Sequence, residues 1–142
     1  MNKAQWRELG KYVRSIADEM GLKDWKFRLC EDEPETPDEH KGTDVYAQAS
    51  CTPTPGQRMA VLRFTSDFNK MPKDQVRAIV THELLHCHLA AIYEFGRVGL
   101  MNELGQSAYN TFMFGFTQAW EQTIDSIAQA WAVNFPLIKW PV

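Results

Sequence analysis

Residues 81–88 read Thr-His-Glu-Leu-Leu-His-Cys-His, and within them His82-Glu83-Leu84-Leu85-His86 spells the pattern H-E-x-x-H. On a helix, two histidines four apart lie on one face, one turn above the other. Both imidazoles can then reach one metal ion, and Glu83, the next residue round, can reach a water on that metal. Zinc takes imidazole nitrogen readily and keeps a position open for water when the protein supplies only three ligands. Two histidines therefore call for a third group elsewhere in the chain. By composition the pattern arises by chance in roughly a few per thousand chains of this size. The alternative is a pair of core histidines satisfied by neighbouring carbonyls.

The flanking residues place the motif in the middle of a helix. Pro72 stands at the predicted first helical position, where its missing N–H costs nothing, and Asp74 favours the positive end. From there to about residue 93 nothing breaks the pattern. Val76, Val80, Leu84, Cys87 and Ala91 form one apolar stripe, and Ile79, Leu85, Leu89 and Ile92 widen it. A helix apolar almost all round is a central, buried one. His82, Glu83 and His86 are then polar groups in an apolar surround and require partners.

Working outward, Trp6, Leu9, Val13, Ile16 and Met20 recur at helical spacing, and Gly21 suits a left-handed cap after them. Residues 25–29 alternate apolar and basic, which predicts a half-buried strand. Residues 31–41 hold six acids and two prolines, a solvated loop whose acids lack the spacing of an EF-hand. Residues 44–51 alternate as a second strand. Pro53, Pro55 and Gly56 interrupt the chain, and 58–65 resumes as a third strand, a chemistry that suits an antiparallel pair. After the central helix, Gly96, Gly99 and Gly105 mark a looser segment. Ser107 then caps a final helix to about residue 133, with Tyr109, Phe112, Met113, Phe116, Trp120, Ile124, Ile127 and Trp131 on its apolar face. The predicted fold is α+β: an N-terminal helix, a small, largely antiparallel three-stranded sheet, the H-E-x-x-H helix and a C-terminal helix. All of it fits one domain over 1–142, with 134–142 as a tail whose Phe135, Leu137, Ile138 and Trp140 either cover the core or lie across the cleft.

Composition agrees with a globular domain: 142 residues, 44% hydrophobic, 23% charged and five tryptophans are enough to bury a core without disulfides. A formal charge of −3 argues against nucleic acid as a partner, since such domains carry a basic patch. Cys30, Cys51 and Cys87 form no paired framework, which suggests reduced thiols in a cytoplasmic setting. The first twenty residues lack the apolar core of a signal peptide, and no run approaches the roughly 20 apolar residues of a membrane span.

The third ligand narrows by exclusion. The other histidines are His40 and His88, and His88, two residues past His86, points away from the metal face. The metzincin extension is absent, with Leu89 and Ile92 where its glycine and third histidine would stand. A carboxylate is therefore required. Glu94 lies about 12 Å along the helix from His86, and Glu103 has no helical partner. Glu121 is the better candidate because Asp125 stands four residues later on the same face. Glu121 would complete the ligand set, and Asp125 would accept the free ring N–H of a ligating histidine and fix its tautomer. The alternative is that both belong to the solvated edge of an amphipathic helix.

His82-Glu83-Leu84-Leu85-His86 followed by Glu121-x-x-x-Asp125 resembles the gluzincin metallopeptidases, and in size the chain is similar to the small single-domain minigluzincins. The resemblance covers 81–86 and 121–125. It implies a zincin-like fold, one zinc per chain held by His82, His86 and Glu121, Glu83 as general base, and Asp125 as the orienter of a ligand histidine. The activity expected is hydrolysis of peptide bonds by a zinc-bound water that Glu83 activates. Tyr109, on the glutamate helix, and Tyr93, at the end of the active-site helix, are candidate second donors to the oxyanion. A peptide or protein substrate would lie along an edge strand, either 44–51 or 58–65. Two rival readings stand beside this one. One is a narrow-target cytoplasmic, phage or mobile-element peptidase that cleaves a regulator; the other is a non-catalytic, zinc-stabilised structural or interaction module.

Overall fold

In the computed structural model, which describes residues 1–32, 34 and 47–141, the chain opens with helix α1 (Lys3–Glu19). Reciprocal capping fixes its start: the Asn2 side chain accepts from the Gln5 N–H at 2.9 Å, and the Gln5 side chain accepts from the Asn2 N–H at 2.9 Å. Its end is a Schellman turn. Gly21 takes φ +81°, the left-handed conformation expected of it. Leu22 N–H reaches the Ala17 carbonyl at 2.8 Å and Gly21 N–H the Asp18 carbonyl at 3.2 Å.

Three strands follow among the described residues: β1 (Lys26–Cys30), β2 (Ala49–Thr54) and β3 (Met59–Phe64). Their spatial order is β1-β3-β2, with β1 parallel and β2 antiparallel to β3. The sheet is thus mixed, which corrects the expectation of a largely antiparallel one. Alternation identifies strands but carries no direction. The chain between β1 and β2 is long enough to cross over, so β3, not β2, becomes the neighbour of β1. β3 is the central strand and buries Ala60, Leu62 and Phe64 in the same core as Leu9, Val13 and Ile16 of α1.

β2 also differs from its predicted range, because it runs through Pro53 instead of stopping before it. The register explains this. Thr65 N–H bonds the Gln48 carbonyl at 3.1 Å, and Ala49 faces Phe64, so 49/64 is a non-hydrogen-bonded pair. Ser50, Thr52 and Thr54 therefore direct their backbone groups at β3, while Ala49, Cys51 and Pro53 direct theirs at the free edge. The N–H that proline lacks is one the ladder does not use. Most of the predicted acidic loop 31–41 and residues 44–46 of the predicted second strand lie outside the described residues.

Helix α2 (Lys73–Glu94) begins one residue later than expected, with Pro72 as its cap. It packs against β2 on one side and α3 on the other, burying Val76, Val80, Leu84, Leu85 and Cys87. The expected all-round burial holds for the middle of the helix, from Val76 to Cys87, and fails at both ends: Lys73, Asp74 and Gln75 are exposed, and Ile92 is 58% exposed. The glycine-punctuated segment is ordered: Phe95–Gly99 continues α2 as a π-helical turn. A Cβ at Gly96 would stand 3.3 Å from the Phe116 ring, so a larger residue there requires the ring to shift by a few tenths of an ångström. Helix α3 (Gln106–Ala132) is capped by Gly105, so Ser107 lies inside it instead of at its start. Only Ile124, Ala128 and Ala132 of α3 are buried, and its first half is largely exposed. The tail covers the core: Phe135 and Ile138 are buried, Tyr12 donates to the Pro136 carbonyl at 2.7 Å, and Arg77 donates to the Phe135 carbonyl at 3.0 Å. No helix among the described residues is long and apolar enough to cross a membrane.

Candidate metal centre

His82 and His86 lie one turn apart on α2, and Glu121 reaches them from α3. The His82 Nε2 and His86 Nε2 atoms are 3.2 Å apart, and Glu121 Oε2 stands 3.3 Å from the first and 3.7 Å from the second. A tetrahedral ion with metal–nitrogen distances of about 2.0–2.1 Å separates its ligand atoms by about 3.3 Å. The three donors already stand at that spacing, so the residues fit a metal ion and form a possible binding site. Two imidazole nitrogens and one carboxylate make a donor set that zinc accepts.

Asp125 occupies the position expected of it. His82 Nδ1 is 2.8 Å from Asp125 Oδ1, so an Nδ1–H donated to that carboxylate leaves Nε2 free to face the other donors. The i, i+4 spacing on α3 allows Glu121 and Asp125 to contact His82 from one helix face.

The electrostatics of the cluster follow from burial and crowding. Burial opposes charge on His82, but the hydrogen bond with Glu121 and the fields of Glu83, Glu121 and Asp125 outweigh it and raise its pKa to about 9. Burial, reinforced by the charge on His82, pushes His86 down to about 4. Glu121 is itself desolvated, yet its bond to His82 and the two nearby imidazoles hold its pKa below the ordinary value. Glu83, on the buried flank of α2, is only 6% exposed. Desolvation raises it from its ordinary 4.5 to about 7, against the pull of His82 and with some help from Glu121 and Asp125. A carboxyl poised near neutrality can both take and return a proton.

The cluster lies in a cleft of about 1800 Å³ bounded by β2, α2 and α3. The edge question left open by the sequence is resolved: β2 is the outer strand bordering the cleft, and β3 is interior. Along the cleft's rim, Ala49 and Cys51 present both N–H and C=O at the free edge, and Pro53 presents C=O alone. Ala49 and Cys51 fall in the 44–51 stretch, one of the two candidate edges; the extension through Pro53 was not foreseen, although a proline in a strand is itself a sign of an edge. Toward the end of α2 the wall is aromatic. The Tyr93 ring packs on Trp120 at 5.3 Å and on Phe116 at 5.9 Å between centroids. Tyr93 and Tyr109 both line the cleft, with the Tyr109 hydroxyl donating to the Arg97 carbonyl at 2.8 Å. Glu94, excluded above as a ligand, pairs with Arg97, and His88 is 2.8 Å from the Met20 carbonyl through Nε2. Comparison of the chain with protein-family models, with curated proteins and with solved structures finds no match.

Proposed function

We propose that the chain is a zinc-dependent metallopeptidase of zincin type, one zinc per chain, acting on a peptide or protein substrate. The observation that carries this reading is the three donors preset at tetrahedral spacing beside a buried carboxyl poised near neutral pH. His82, His86 and Glu121 would hold the ion, which when bound would supply Lewis-acid polarisation of a carbonyl and a water of pKa near 7. Asp125 keeps His82 in the tautomer that leaves Nε2 available. Glu83 takes a proton from the attacking water as the new C–O bond forms, and returns it to the amine nitrogen as the C–N bond breaks. The free edge of β2 supports an extended substrate, whose main chain would pair with Ala49 and Cys51. A helix, an edge strand and a glutamate-bearing helix around one cleft support this reading of the motif's resemblance to gluzincins.

The test combines metal content with hydrolysis of a broad peptide library. Wild type is expected to hold about one zinc per chain, Glu121→Ala to lose it, and Glu83→Gln to keep it while hydrolysis falls by at least 100-fold. Full hydrolysis by Glu83→Gln overturns the assigned chemistry. Zinc retained by Glu121→Ala overturns the ligand set.

A further inference from the structure

Two thiols beside this centre have no part in the chemistry above. Cys51 on β2 and Cys87 on α2 are 36 positions apart in sequence, yet their sulfurs stand 3.8 Å from each other. Both are free thiols, Cys87 buried and Cys51 half-buried, and Cys51 lines the cleft. Cys30, the third cysteine, lies on β1, which β3 separates from β2. Cys51 thus borders the cleft, and Cys87 lies behind it with the two sulfurs in contact.

We propose that Cys51 and Cys87 form an oxidative modification site whose co-reactant is a hydroperoxide entering the cleft. The Cys51 sulfur attacks one peroxide oxygen and the O–O bond breaks. Cys51 becomes a sulfenic acid and, with hydrogen peroxide, one water leaves. The Cys87 sulfur then displaces the sulfenic oxygen, which leaves as a second water, and the S–S bond closes. Two thiols are oxidised by two electrons, one peroxide is reduced, and the two thiol protons end in the two waters. Closure to a disulfide of about 2.0 Å needs the sulfurs to approach by roughly 1.8 Å. β2 can supply that movement because it is held by β3 on one side only. The hydrogen bond with Cys87 and then burial hold the Cys51 thiol well above its usual range. The first attack is therefore slow, and the pair stays reduced until peroxide is sustained. Once formed, the bond ties the cleft's rim to the residue that follows His86, so oxidation fixes the spacing between the edge strand and the candidate metal centre.

The experiment treats the full chain with excess hydrogen peroxide for hours, removes the peroxide, and reads intact mass, free thiols and a tryptic map. Cys30, Cys51 and Cys87 fall in separate tryptic peptides, 29–41, 42–58 and 78–97, so the linkage is read directly. The expected result is 42–58 joined to 78–97, two methionine-free peptides, at a mass about 2 Da below the sum of the two reduced peptides, with the Cys51 and Cys87 thiols lost and restored by dithiothreitol. Cys51→Ser and Cys51→Ala are expected to form no such link, and the wild-type map decides the matter even if neither variant folds. The proposal is overturned by a linkage involving Cys30, by Cys51 carrying two or three oxygens without a bond to Cys87, or by three thiols surviving a treatment that fully oxidises glutathione.

Discussion

Replacing Glu83 by Gln separates the energetics of the site from its chemistry. Glu83 is buried with its pKa raised from an ordinary 4.5 to about 7, so folding favours its protonated form. A group raised in this way contributes stability that is fully present below the unfolded pKa and is lost as pH rises through the folded one. The window is therefore pH 4.5 to about 7. At about 1.4 kcal/mol per pH unit, the wild type gives up about 3 kcal/mol across it. Gln has no proton to lose, so the variant gives up nothing at this position. Any packing difference between Gln and neutral Glu is a constant offset, and the informative quantity is the change with pH. In chelator-treated protein, the stability of Glu83→Gln relative to wild type is expected to grow by about 3 kcal/mol between pH 5 and pH 8, or roughly 10 °C in Tm for a chain of this length. Urea and thermal unfolding at each pH measure it. A difference that stays flat, or that falls with rising pH, refutes the claim that Glu83 is held neutral by desolvation.

Asp125→Ala leaves all three donors in place but frees the His82 ring, so zinc affinity measured against a competing chelator is expected to fall about 10- to 100-fold; an unchanged affinity removes the orienting role. Metal-free His82 keeps its proton up to about pH 9, and an incoming ion must displace it. Apparent zinc affinity is therefore expected to rise about tenfold per pH unit from pH 7 toward 9, with the released proton seen by calorimetry in buffers of different ionisation enthalpy; a pH-independent affinity contradicts it. Ile138 is 1% exposed, so Ile138→Ala is expected to cost about 2–5 kcal/mol in urea unfolding while zinc content stays at the wild-type level. A neutral substitution would mean that the tail does not belong to the core.

What the sequence disclosed was mainly what helical spacing encodes. His82 and His86 at i, i+4, and Glu121 and Asp125 at the same interval, each define a face. With only four histidines in the chain, elimination turned the third ligand into a search for a carboxylate. Gly21 was legible because a left-handed residue after an amphipathic run has few other uses. Features that depend on a distant partner were not legible. The parallel pairing of β1 with β3 follows from a crossover that local alternation does not record. Gly96 read as a loosening of the chain, whereas it lies in a π-helical turn with the Phe116 ring close against it. Pro53 read as a strand breaker because only the register shows its nitrogen facing away from β3. Cys51 and Cys87, separate in sequence, meet only once β2 packs on α2.

The way the site is held together also bears on what it is for. Two imidazole nitrogens 3.2 Å apart can share only one proton between them. His82 takes it and His86 is driven down to about 4, so the metal-free cluster settles into unequal protonation of two chemically identical side chains. Glu83 is buried without gaining enough from its neighbours to stay ionised at its ordinary pKa. A core selected for stability alone would place apolar side chains at these positions, since buried charged groups are seldom the most stable solution. Here the unfavourable groups sit on the two helices that border the cleft, while Val76, Val80, Leu84, Leu85 and Cys87 of α2 are apolar and buried around them. Such an arrangement holds donor atoms in place before any ligand arrives, with the rest of the fold supplying the stability that the cluster lacks. That distribution favours a site kept for binding a cation over a pair of histidines that merely fill the core.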